Sequence, residues 1–174
     1  MPSPGSAPAA TVARAQSAGG APVHPLVVVA GFGGVAGLVA AVIRTAIGFD
    51  HGIWLVAYLV LVGFLAPTLL CRGERRVLAQ PGPDQGARLV AALWLAGVIA
   101  VPAGVLGQAR VLVCAGAVCL LAALVLLVDR AYAGGATPAP ERSRTELTAH
   151  GLTIAVMTVS TGIGVLLAWS YPWF

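Results

Sequence analysis

Lysine is absent from this chain, and charge of either sign is scarce. Ten arginines and six acidic residues make up only 9% of 174 positions. A soluble domain carries about 25% charged residues, so this chain cannot coat a water-facing globular surface. Lipid must be the solvent for most of it. The formal net charge of +4 would hint at nucleic acid in a soluble protein. Here the arginines fall between apolar runs, where they orient a chain in a bilayer, and no nucleic-acid partner is expected.

Cysteine is nearly as scarce. Cys114 and Cys119 lie five positions apart in one apolar run, a turn of about 140° on a helix. They do not share a face, which excludes a disulfide or a common metal between them. Cys71 closes a different run. All three read as small packing residues.

Catalytic signatures are missing too. There is no nucleophile elbow, P-loop, dinucleotide fingerprint or zinc-finger spacing. The glycines of Gly31-Phe32-Gly33-Gly34 sit inside an apolar run rather than after a strand, so a phosphate cradle fails its structural context. No acidic residue lies in the middle of any apolar run, which argues against a charge relay and ion-coupled transport. Nothing in the sequence points to an enzyme.

What the chain does have is long apolar runs. Five stretches, near 26–46, 53–70, 88–107, 110–129 and 150–171, each approach the ~20 residues that cross a bilayer as a helix. The fold expected is all-α: a polytopic membrane protein forming a bundle of five transmembrane helices over residues 25–174. Residues 1–24, rich in Pro, Ala, Gly and Ser, read as a disordered cytoplasmic tail. The first run exceeds a signal peptide's 7–15-residue apolar core, so it is expected to stay as the first span.

The arginines set the orientation. The tail, second loop and fourth loop together hold eight of them, and the alternate segments hold two. The positive-inside rule then puts the N-terminus in the cytoplasm and the C-terminus outside. Aromatic rings agree: Phe49, Trp54, Tyr171, Trp173 and Phe174 fall at the outer interface, and Tyr132 at the inner one. The absence of lysine beside abundant Ala, Gly and Arg suggests a GC-rich bacterial genome, hence a bacterial plasma membrane.

Helices in lipid associate through close backbone approach and interhelical hydrogen bonds. Gly33, Gly37 and Ala41 recur every four residues and form a smooth ridge, the expected site of closest helix approach. In the fifth run, Thr153, Met157, Ser160, Thr161, Gly164 and Ala168 share an arc of about 100° that should point into the bundle. Their hydroxyls have a commoner local use, bonding a carbonyl one turn back. Pro67 and Pro102 each remove a backbone donor and mark kinks near helix ends.

Two polar groupings stand out. Arg44, Asp50 and His51 read as an ordinary polar loop. His24 and His150 flank the first and fifth spans at the cytoplasmic interface; if those helices are neighbours, two imidazoles would converge on a haem iron or another metal. No other cofactor is expected. The leading functional expectation is a non-enzymatic membrane protein acting by helix association, as an accessory subunit or homo-oligomer, with lipid, other membrane subunits or itself as partners. The alternatives are a component of a small-solute transporter or channel, and a haem- or metal-binding redox protein.

Overall fold

The structure, a computed structural model, describes residues 23–48, 52–77, 84–133 and 144–170. Over these the regular secondary structure is all helical. Helix α1 (Pro25–Ile47) is followed by a second rod made of α2 (Gly52–Tyr58), a π-helical segment (Leu59–Leu65) and α3 (Ala66–Val77). Then come α4 (Gln85–Leu106), α5 (Arg110–Ala133) and α6 (Arg144–Ser170). Helix α1, the second rod, α4 and α5 are long and apolar enough to cross a membrane, and only 28–39% of their apolar windows is buried within the chain. Val35, Leu38, Val111 and Val118 are largely exposed, as a multi-pass membrane protein requires. Residues 1–22 of the tail, Phe49, Asp50, His51 and residues 171–174 lie outside the described residues.

Caps set the helix ends. His24 has extended backbone and caps α1, its Nδ1 accepting from Leu26 N–H at 3.3 Å, with Pro25 in the first turn. Asp84 caps α4, its carboxylate accepting from Ala87 N–H at 2.7 Å. Both are favoured arrangements for the orphan donors of a first turn. Gly48, at φ 57°, closes α1 by donating to Arg44 O. Between α4 and α5 the turn is so short that Gln108 takes φ 52°, a left-handed conformation unfavourable for a side chain with a Cβ. The turn makes α4 and α5 antiparallel neighbours, with Gly97 facing Leu120 and Gly116 facing Val101.

Helix α1 crosses the π segment. A Cβ on Gly33 would overlap the Gly63 backbone, and one on Gly37 would stand 3.1 Å from Val60. Gly33 and Gly37 are buried and Ala41 is half-buried. The glycine ridge is thus occupied within the chain. The π register follows from Pro67: Ala66 N–H donates to Leu61 O, five residues back, and the next donor in that register would be Pro67, which has none. The carbonyl left over, Val62 O, receives the indole Nε1–H of Trp94 at 3.0 Å. Trp94, Leu26, Leu70, Leu127 and Val98 form the fully buried centre of the core.

Three helix ends differ from the hydropathy reading. The second rod runs to Val77 instead of stopping near 70, α4 starts at Gln85, and α6 starts at Arg144. The cause is the same in the second rod and α6. Arg, Glu and Leu are strong helix formers, so the helix continues after the apolar run ends. In α3 the continuation is two-faced: Leu70, Cys71 and Glu74 are buried while Arg72 and Arg75 are exposed.

Candidate functional site

The continuation of the second rod carries a carboxylate into the bundle. Glu74 is 5% exposed, although it lies beyond the apolar run. Around it converge the ends of four other helices, and this arginine-rich end is the one chemically dense region among the described residues.

Arg130, near the C-terminus of α5, holds Glu74. Its Nε donates to Glu74 Oε1 at 2.9 Å, and its Nη2 lies 2.8 Å from the same oxygen. The same guanidinium donates from Nη1 to both oxygens of Asp84, at 2.9 and 3.0 Å. One cation therefore ties the end of the second rod to the start of α4. Gly86 makes room for it, since a Cβ there would overlap Arg130 Nη1. The Asp84 carboxyl lies below the usual carboxylate range, first because of the Ala87 N–H bond and then because of Arg130.

His24 closes one side. Its Nε2 lies 3.3 Å from Glu74 Oε2, and Oε2 has no hydrogen bond. Because Nδ1 accepts the α1 capping bond, the ring proton sits on Nε2 and faces the carboxylate. Burial pushes the His24 imidazole below its ordinary value, and the Glu74 charge opposes this less strongly.

His150 closes the other side. It is 7% exposed, and its ring lies against Gly73, where any Cβ would collide with it. Its Nδ1 is buried and has no hydrogen-bond partner. The structure thus brings His24 and His150 to adjacent residues of α3, one to Glu74 and the other to Gly73. As a metal or haem pair they are poorly arranged. A metal on His24 Nε2 would need the proton moved to Nδ1, which breaks the cap. Among the described residues, no three His, Cys, Asp or Glu side chains are grouped as a metal site.

The expected packing residues are distributed differently. Thr153, Met157 and Thr161 are half-buried, and Ser160 is exposed. Thr153 and Thr161 donate to Ala149 O and Met157 O, one turn back in their own helix. The surroundings of Gly164 and Ala168 lie outside the described residues. Glu74, Asp84 and Arg130 were missed as a site. The available signal was amphipathicity: Leu70, Cys71 and Glu74 fall on one helical face, with Arg72 and Arg75 on the other.

No protein-family model matches the chain, and no match is found among curated proteins or solved structures.

Proposed function

We propose that this chain is a multi-pass, non-enzymatic component of a transporter or channel, with its ionisable centre in the His24–Glu74–His150–Arg130 cluster. Helix α6 serves as the fifth span, the arginine-rich end faces the cytoplasm of a bacterial cell, and the C-terminus lies outside. One observation carries the reading: a carboxylate 5% exposed at the end of a helix long enough to cross a membrane. Ionisable groups placed in this way are costly, and proteins use them mainly along proton and ion paths. Glu74 lies past the end of its apolar run, at the arginine-rich end of the second rod, where it would serve the mouth of a path.

The test is reconstitution of the purified protein into vesicles holding a pH-sensitive dye. Under an imposed pH gradient, the wild type should dissipate it faster than empty vesicles, and Glu74→Gln should slow that dissipation at least tenfold. Vesicles as tight as empty ones refute the reading.

A second reading, association with another membrane subunit or a second copy, has its own observation. In α6, Ser160 is exposed, and a Cβ at Gly162 would meet nothing within 4 Å. Small and hydroxyl residues facing outward favour a partner helix over lipid. A strictly monomeric species in mild detergent, with nothing co-purifying, refutes it.

A further inference from the structure

We propose that the outward face of the second rod binds one anionic phospholipid of the leaflet at the arginine-rich end. Arg72 and Arg75 take the headgroup phosphate, and the leucines that precede them take an acyl chain. The site is independent of the transport reading above.

The face is continuous and has two parts. Leu61 is 51% exposed, Leu65 41% and Leu69 39%. Arg72 follows and is exposed, as is Arg75 one turn further on. At 100° per residue, Leu65, Leu69 and Arg72 fall within an arc of about 60°. The surface of the rod therefore passes from leucine to guanidinium within one turn, about 5 Å of rise. In a bilayer such leucines stand beside acyl chains, and arginines at a helix end reach out to the phosphates.

Charge supplies a second argument. Among the described residues, the ion pairs of this end join His24, Glu74, Asp84 and Arg130, and neither Arg72 nor Arg75 takes part. Arg75 lies beside the Cys71 thiol of its own helix, but a guanidinium has five N–H donors, enough for a phosphate as well. Like charges one turn apart on a helix repel, and a phosphate between them removes that repulsion. Arginine is also the side chain whose geometry best matches phosphate oxygens. An acidic protein would match the charge alone. The leucines running into the arginines favour a lipid.

Third, the face is preformed. Glu74, between the two arginines in sequence, is buried and held by Arg130. Leu70 and Cys71 are buried on the same side. This anchoring fixes the rotation of α3 and turns the arginines outward before any lipid arrives, so binding orders little of the backbone.

Native mass spectrometry of the full chain in mild detergent provides the test, with phosphatidylglycerol titrated against phosphatidylcholine of the same acyl chains. Each arginine near an anionic lipid is worth about a fivefold change in affinity. Phosphatidylglycerol should therefore bind roughly tenfold more tightly than phosphatidylcholine. Arg72→Gln should weaken it about fivefold, and Arg72→Gln with Arg75→Gln about 25-fold. Both positions are exposed, so these variants keep the packed face of α3. Arg88→Gln, an equal loss of charge at an exposed position of α4, should leave binding almost unchanged. Glycerol phosphate, which has the headgroup chemistry without acyl chains, should not displace the lipid. Equal binding of the two lipids overturns the proposal. So does an Arg88→Gln loss as large as that of Arg72→Gln, which marks diffuse attraction in place of a site. Displacement by glycerol phosphate marks a free-anion site and overturns it too.

Discussion

Asp84 shows how one side chain serves two structural ends. It caps α4 through Ala87 N–H and also receives Arg130. The two roles separate by substitution. Asp84→Asn keeps a cap acceptor and loses the charge pairing, whereas Asp84→Ala loses both. We expect Asp84→Ala to cost about 1 kcal/mol for the cap alone, read as a shift in the unfolding midpoint in denaturing detergent. Asp84→Asn should cost less. Equal losses would show that the cap contributes nothing.

The same end of the molecule dictates a pH dependence. The Asp84 carboxyl is depressed in the folded chain, so its contribution is present above the unfolded Asp value of about 3.9 and is lost as pH falls further. His24 is depressed from 6.5. The unfolded chain therefore binds a proton there first, and stability falls as pH drops below that value. Unfolding midpoints measured from neutral to acid pH should decline in two stages. His24→Asn, which can still cap α1, should shrink the upper stage and leave the lower unchanged.

At the scale of elements, the crossing of α1 on the π segment and the bond from Trp94 are one device. Pro67 denies Val62 O its donor, and the indole of α4 replaces it. Trp94→Phe leaves that carbonyl buried and unpaired, a loss of about 1–3 kcal/mol added to the change in packing. Pro67→Ala supplies an N–H in the same region. In the Trp94→Phe background it should recover part of the loss, and a double-mutant cycle measures that coupling. Additive effects would show that the two residues act separately. Gly33→Val, in contrast, should be destabilising by itself, by about 1–3 kcal/mol from overpacking, because its neighbour is the Gly63 backbone.

The apolar elements were legible because bilayer thickness imposes a length that few sequences meet by accident. The short turn at Gly107 to Ala109 fixed the pairing of α4 with α5 for a similar reason. The site was legible only in part. His24 and His150 stood out as rare residues at span boundaries, but Glu74 was hidden among Arg72, Arg75 and Arg76, where a local count sees only a polar loop. Helices do not stop where hydropathy stops, and one more two-faced turn was enough to bury it. The π segment was not legible, since its cause combines Pro67 with a tryptophan in a different helix.

At the scale of the whole molecule, His24, Glu74, Asp84, Arg130 and the ring of His150 from five separate elements gather at one end. That gathering requires each span to reverse the direction of the one before. Reporters attached near residue 20 and after residue 172 should therefore read opposite sides of the membrane, with the first in the cytoplasm. Two reporters on the same side would remove the fifth crossing.

The order of synthesis gives Arg130 a further meaning. It follows Glu74 by 56 positions and Asp84 by 46, so both carboxylates leave the ribosome well before their cation exists. A nascent chain ending ahead of α5 holds an uncompensated acid at a hydrophobic helix end, which disfavours burial. We therefore expect a chain truncated ahead of α5 to associate loosely and to be degraded faster than the full chain, which a pulse-chase of the two forms measures.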